Sequence, residues 1–421
     1  MNKYSIRNSF LLFTIFLIFY SIFYLYWKHD VGNDWSMSEW FINYQGGFTR
    51  RGLGGEINFF LADLFSISLR DTVFFLQAIT HTIFLIFLFL YLKDLKLDIL
   101  QIFALFSPLF LLYPIAELEA LGRKEMFIFL FFIFVIFFSK EKFHKNVVNF
   151  IIFIFFPIIC LIWEQIILFA PFFMVILINK NKLYLFSETF TKLLLIFSST
   201  IFVMIIIFVF PLSNEGHEIM CRYLELEFRE RCFGSADLLI KNTIYFDTFF
   251  IHKRTDFTHY LRYMIIFSVG FLPLFLCLSK NKFTNEENFI TKNFRPTYLF
   301  LTIYIPIILL FAFGHDWGRW INIQYSLSII LYLYLIKNNI VSNNLNYKTL
   351  IEFLLKKQKL LIFIFFIYAF CWNPKTLITG DIATNSLYKI IYKSSKIIFN
   401  FEGIRLFQDN PLIKFHQKFI E

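Results

Sequence analysis

Residues 9–27 read SFLLFTIFLIFYSIFYLYW, a run without one charged side chain. At about 1.5 Å per residue, a helix of this length crosses the ~30 Å hydrocarbon core of a bilayer. The run is too long for the apolar core of a signal peptide, and no small-residue cleavage site follows it. It therefore reads as a retained transmembrane helix. Comparable apolar runs of about 15–22 residues recur along the whole chain, more than a water-soluble core has use for. The 421 residues are 58% hydrophobic and 22% aromatic, with 64 Phe among them.

Spans are expected near 9–27, 72–92, 99–115, 126–138, 147–162, 166–179, 190–211, 260–279, 297–313, 321–336 and 359–372. This predicts an all-α polytopic membrane protein of about eleven transmembrane helices, with 1–421 as a single integral membrane domain. The pair 147–179 also reads as two short helices of a re-entrant hairpin. Lys3 and Arg7 put the N-terminus in the cytoplasm, and the lysine-rich loops at 93–96, 140–145, 180–182, 280–283 and 337–359 then all fall inside. Long segments at 27–71, 212–258 and 373–421 fall outside. On this map most lysines are inside, whereas every arginine except Arg7 and Arg295 lies outside or at the outer boundary. Arginine outside runs against the usual bias. Its rigid donor fork suits bidentate contacts to phosphate or carboxylate. The net charge of +10 is thus expected to serve an anionic lipid or phosphate-linked substrate, not nucleic acid, for which no basic, aromatic-interleaved motif is present.

The most informative polar stretch follows the first span. Residues 34–56 read DWSMSEWFINYQGGFTRRGLGGE, too polar to cross a bilayer and too irregular for a plain connector. Trp35 and Trp40 suit headgroup depth. Glycines flank Arg50 and Arg51, so backbone N–H groups can approach an anion while the arginines supply charge. Glu56 opens the next apolar run, where it meets substrate or neutralises an arginine. The bland alternative is a surface loop whose arginines hold lipid phosphates. A second outer turn, ELEALGRKE at 117–125, offers Arg123 and Lys124 at the start of a helix, where the dipole favours an anion. At 158–173, IICLIWEQIILFAPFF carries Glu164 at the apex of two short apolar helices, and an ionisable residue there is a functional candidate. The turn GHDWGRW at 314–320 offers His315, Asp316 and Arg319. Asp316 and Arg319 share a face if a helix starts here.

Cys221 and Cys232 bracket CRYLELEFRERC in an outer loop. Their spacing lacks the companion pairs of a zinc site, and outside the cytoplasm a disulfide is expected. The mixed charges between them read as a solvated helix face. His252, Lys253 and Arg254 are weaker phosphate candidates. There is no Walker loop, GxGxxG, HExxH or CxxC, and no cytoplasmic segment large enough to bind a nucleotide. No metal and no cofactor are expected.

The ordered set YQGGFTRRGLGGE, LGRKE, WEQ before a proline, the two-cysteine loop and HDWGRW resembles membrane proteins of bacterial O-antigen and capsule gene clusters, over roughly residues 30 to 325. These are polysaccharide polymerases and kindred integral-membrane glycosyltransferases. Where such proteins are expected to carry His-Glu at the hairpin apex, this chain has Trp163-Glu164. The resemblance implies an inner-membrane enzyme, with a GT-C-like helix arrangement among the expectations. It implies transfer of a growing glycan from undecaprenyl pyrophosphate to a lipid-linked repeat unit at the periplasmic face, without ATP. Arg50, Arg51, Arg123, Lys124, Arg319 and His315 would bind substrate, and Glu164, Glu56 or Asp316 would act as base. Membrane lipids, a chain-length regulator and a flippase of the same pathway are the implied partners. Alternatives are a transferase using a polyprenyl monophosphate sugar, a ligase moving finished glycan to lipid A core, and a transporter without chemistry. The absence of a visible internal repeat and the one-sided arginines count against transport.

Overall fold

In hydrocarbon every backbone N–H and C=O must bond within the chain, and a helix does this segment by segment. The computed structural model describes residues 3–30, 35–140, 143–240, 255, 257–342 and 357–378. Among these, every named element is a helix, and the β pairing is an isolated bridge between Phe283 and Val341. Seven helices are long and apolar enough to cross a membrane: Asn8–His29, Leu69–Leu92, Lys145–Ile162, Glu164–Asn181, Phe186–Val209, Phe257–Lys280 and Pro296–Phe313. Shorter apolar helices run over Met126–Phe138 and Gln358–Phe370. The chain is an all-helical polytopic membrane protein.

One of the eleven expected spans is corrected. The 99–115 run is not one helix: Ile99–Leu105 ends before Ser107-Pro108, and a separate short helix covers Tyr113–Ala116. Pro108 has no N–H to continue the ladder and disfavours helical backbone at Ser107. The 321–336 run lies within Trp317–Lys337, in which every residue from Gly318 to Ile336 is buried. The expected helix is thus present, set in the interior of its unit. His252, Lys253, Arg254, Asp34 and the tail beyond residue 378 lie outside the described residues.

The chain divides into two compact units that interleave in sequence: 1–96, 121–246 and 285–295 form one, and 97–120, 247–284 and 296–421 the other. In the first, Lys3–His29 packs on Leu69–Leu92, which packs in turn on Met126–Phe138, while Lys145–Ile162 packs on Phe186–Val209. The two helices expected at 147–179 form a hairpin: Asn149 and Asn181, at its open end, exchange side-chain hydrogen bonds at 3.1 and 2.9 Å, and the chain turns at Trp163, whose backbone is extended (φ −155°, ψ 103°). A 3-10 turn over Glu164–Phe169 then leads into Ala170–Asn181.

The two-cysteine loop of this unit is more than a solvated face. Ser213 caps the Asn214–Phe228 helix by accepting from the Gly216 N–H. Gly216, Met220 and Leu224, spaced by four, form its buried stripe. Leu224 joins a cluster with Met37, Trp40, Phe41 and Phe59. Arg70 grips Glu230 with two donors, Nη2 lying 2.8 Å from Oε2. Cys221 and Cys232 are joined as a disulfide.

In the second unit Phe257–Lys280 packs against Ile99–Leu105, Pro296–Ile303 and Trp317–Lys337. Two polar residues of the buried Trp317–Lys337 helix bond backbone carbonyls of another segment of the unit. Asn322 donates to the Leu109 carbonyl at 2.7 Å and Tyr325 to the Ala104 carbonyl at 2.8 Å. In a buried setting these bonds fix register, because an unpaired polar group costs about 1–3 kcal/mol.

Close backbone crossing supplies the first test. A Cβ on Gly46 would lie 1.8 Å from the Gly216 carbonyl oxygen, so these two segments meet backbone to backbone. Gly46→Ala is expected to destabilise the fold by about 1–3 kcal/mol, the usual cost of overpacking, read as a lower thermal midpoint in detergent. An unchanged midpoint would show that this crossing is slack.

Candidate functional site

The site of the first unit is built on the start of one helix. Gly52–Phe65 begins directly after Arg51, whose backbone is left-handed (φ 66°, ψ 5°). Such a conformation costs a non-glycine residue of order 1 kcal/mol and persists only where its surroundings hold it. Here they do. The Arg51 guanidinium meets Glu164 at two points, Nε to Oε2 at 2.7 Å and Nη2 to Oε1 at 2.7 Å. The Arg51 carbonyl accepts from Lys124 Nζ at 3.0 Å. Arg50 reaches the same carboxylate, Nη1 to Oε1 at 3.5 Å.

Arg123 and Lys124 are adjacent but serve different partners. Arg123 Nη1 donates to Glu39 Oε2 at 2.9 Å and to the Trp35 carbonyl at 3.0 Å. Lys124, fully buried, lies beside the Arg51 carbonyl and 5.9 Å from the Trp40 ring centroid. Trp40 Nε1 and Gln77 Nε2 both donate to the Gly122 carbonyl, at 2.8 and 2.6 Å, which pins the turn that carries these two cations. The cluster thus holds Arg50, Arg51, Arg123 and Lys124 with the buried carboxylates Glu39, Glu125 and Glu164. Its accessible part is Arg50, whose side chain is 29% exposed against 16% for Arg51 and 11% for Glu164.

Two glycines of the arginine motif meet other parts of the chain. A Cβ on Gly55 would lie 1.9 Å from the Ile42 carbonyl oxygen, and one on Gly52 would lie 2.3 Å from the Tyr44 ring. At these two positions the space is filled by protein backbone and an aromatic ring, whereas Gly54 faces Lys124 Nζ and nothing lies within 4 Å of a Cβ on Gly47. Glu56 faces that packing: it accepts from the Tyr44 N–H at 3.1 Å and from Gln45 Nε2 at 3.2 Å, tying down the turn before the arginines.

His315, Asp316 and Arg319 belong to the second unit. Arg319 Nη1 pairs with the Asp316 carboxylate three residues earlier, where the Trp317–Lys337 helix starts. The His315 carbonyl accepts from the Ile378 N–H at 2.8 Å, and the Gly318 N–H donates to the Thr376 carbonyl at 3.0 Å. Residues 373–378 are thereby strapped along the GHDWGRW turn. Tyr263 Oη bonds the Lys375 and Leu377 carbonyls at 2.7 and 2.9 Å, and Lys375 Nζ lies 3.3 Å from Glu117.

Sequence reasoning overlooked Glu39, Glu125, Gln77, Glu117, Tyr263 and Lys375 as site residues. Glu39 and Glu125 stood inside motifs already singled out, and the rule that a buried cation needs a buried anion points to them. Gln77, Tyr263 and Lys375 lie in or beside apolar runs with no pattern that marks them.

Two outcomes follow from this geometry. Arg51→Met and Glu164→Leu should each destabilise the protein by about 3–5 kcal/mol, because each strips a buried charge of its two-point bond. The double variant should lose less than the sum, and additive losses would show that the pair is not coupled. The second outcome concerns Lys124. Burial first, and then the Arg51 charge, push its ammonium down from the usual 10.5 to about 8, against the opposing pull of Glu39, Glu164 and Glu125. Between about pH 8 and 10.5 the unfolded chain binds the proton that the folded chain has shed, so stability gains with rising pH. Thermal midpoints measured across that window should rise relative to those of Lys124→Met, and parallel curves would contradict it. No protein-family profile, curated protein or solved structure matches this chain.

Proposed function

We propose that this protein is a glycosyltransferase of the bacterial inner membrane that polymerises a surface polysaccharide, an O-antigen or a capsule, from polyprenyl-linked repeat units. The observation that carries the reading is the group of Arg50, Arg51 and Lys124 around Glu164 in a chain of apolar helices. Cations gathered in a low-dielectric setting suit a lipid-linked phosphate, and they would stabilise the charge that develops as pyrophosphate leaves. Lysine-rich loops on one side and arginines on the other support the orientation, with the N-terminus in the cytoplasm and the arginines towards the periplasm.

In this reading the acceptor sugar's hydroxyl oxygen attacks the anomeric carbon of the growing glycan. The bond from that carbon to the undecaprenyl pyrophosphate oxygen breaks, and the hydroxyl proton passes to a carboxylate. Arg50, the most exposed cation of the cluster, meets the pyrophosphate first, and Glu164 orients Arg51 beside it. In the first unit Glu164 and Glu56 are the carboxylates proposed as base; in the second unit the alternative is Asp316, with Arg319 and His315 as its substrate contacts. The donor bond supplies the energy, so the reaction needs no nucleotide. A polyprenyl monophosphate donor is the second reading. It is favoured by the pairing of Arg51 with Glu164 and of Arg123 with Glu39, which leaves less cationic charge for a leaving group.

The test is complementation of a polymerase-deleted host that carries the matching gene cluster, read as the ladder of surface glycan on a gel. Wild type should restore long chains. Arg50→Ala, Arg51→Ala and Glu164→Gln, at equal membrane levels, should leave single repeat units on the lipid. Glu56→Gln and Asp316→Asn should separate the base from the positioning carboxylates by the depth of the loss. An unchanged ladder with incomplete lipid-linked repeats would point to a single-sugar transferase. Complete repeats trapped on the cytoplasmic side would point to a transporter.

A further inference from the structure

The two-cysteine loop places more than a disulfide in one spot. His217 stands four residues before Cys221 on the Asn214–Phe228 helix, so both side chains lie on one face. The Cys221 sulfur is 3.5 Å from His217 Nε2. Cys232 arrives from beyond the helix end, where Arg229 takes a left-handed conformation (φ 56°) and turns the chain back. One donor atom from each of His217, Cys221 and Cys232 lies within 4.8 Å of the other two. The same Nε2 faces Asp237 Oδ1 at 3.8 Å. The cluster borders an open cavity that Glu218, Glu225, Arg222 and Arg231 also line.

We propose that opening the Cys221–Cys232 bond converts this cluster into a zinc site, with Cys221, Cys232 and His217 as ligands and Asp237 as the fourth. Tetrahedral zinc, with Zn–S near 2.3 Å and Zn–N near 2.0–2.1 Å, sets its sulfur and nitrogen ligands roughly 3.6–3.8 Å apart. The His217–Cys221 separation already matches. Once the bond is opened, rotation about the two cysteine side chains can bring the sulfurs to that spacing. The ligand set is the borderline-soft nitrogen and sulfur donors that select zinc over calcium or magnesium.

The chemistry balances with a dithiol as reductant. The Cys221–Cys232 bond accepts two electrons and two protons, yielding two thiols, and the dithiol becomes its own disulfide. Zinc then displaces one proton from each thiol. Disulfide and metal exclude one another, so the loop is held closed in two ways according to the redox state around it. The proposal is independent of the enzymatic reading.

The experiment uses the full chain in detergent, reduced with dithiothreitol, desalted without oxygen and given zinc chloride alone. Metal per chain is measured by mass spectrometry after gel filtration, and affinity by competition with a chromophoric chelator. Reduced wild type should hold about one zinc more than the oxidised protein. The Cys221→Ser/Cys232→Ser double variant should hold none of that increment. His217→Ala should weaken binding at least tenfold with both thiols still titratable. With Co(II) in place of zinc, the reduced protein should show the near-ultraviolet charge-transfer band of sulfur ligation. Reduced wild type that binds no more zinc than the double-serine variant overturns the site. So does His217→Ala that binds as tightly as wild type, because chelation by two free thiols alone then suffices. A Co(II) spectrum unchanged in Asp237→Asn overturns the fourth ligand.

Discussion

The polar architecture of the first unit depends on the two-point bond between Arg51 and Glu164. Breaking a membrane helix at Trp163 exposes backbone groups and brings a carboxylate into an apolar neighbourhood, both costly unless compensated. Arg51 supplies the compensation, and its carbonyl in turn receives the Lys124 ammonium. Holding Arg51 in a left-handed conformation starts the Gly52–Phe65 helix in the direction that seats its glycines on Ile42 and Tyr44. One ion pair therefore ties together the helix break, the arginine turn and the 117–125 turn. The same residues make the group a candidate for binding a phosphate, since an incoming anion competes with Glu164 for donors that are already oriented.

The second unit solves a different problem by other means. Its Trp317–Lys337 helix is buried nearly end to end and carries Asn322, Gln324, Ser326 and Ser328 into the interior. Directional bonds from Asn322 and Tyr325 to backbone carbonyls of another segment give this helix a defined rotation, which apolar packing alone specifies less strictly. At its start, Asp316 and Arg319 neutralise one another, and the strap of residues 373–378 covers the turn through backbone bonds. The aromatic surroundings of Trp317, from Tyr260, Tyr263 and Phe311, fill the space at that end. Gly318 has to lack a side chain because the Lys375 carbonyl oxygen would lie 1.9 Å from its Cβ.

Residue by residue, legibility follows the range of the interaction. The apolar runs were visible because hydrocarbon thickness sets a length that a helix must meet locally. The i,i+3 pairing of Asp316 with Arg319 was visible for the same reason, as both sit on one helical turn. For Gly52 and Gly55 of the arginine motif the neighbours were not legible, because a backbone able to approach an anion is equally able to approach another backbone or a ring. The 99–115 run was misjudged where Pro108 outweighed apolar content. His217 was overlooked beside Cys221 because one histidine four residues from a cysteine forms no recognised zinc spacing; Cys232 and Asp237 give it meaning only after the chain turns back.

The amino-acid sequence by itself determined an all-helical membrane chain, the positions of most of its apolar helices and the polar turns that hold its unusual arginines. These properties depend on local length, periodicity and charge. The tertiary structure alone decided which cation meets which carboxylate. Arg51 and Glu164 are 113 residues apart, and Arg123 and Glu39 are 84 apart. Charge pairing carries no period that a linear reading can detect: any buried arginine accepts any carboxylate, and helix packing selects which one arrives.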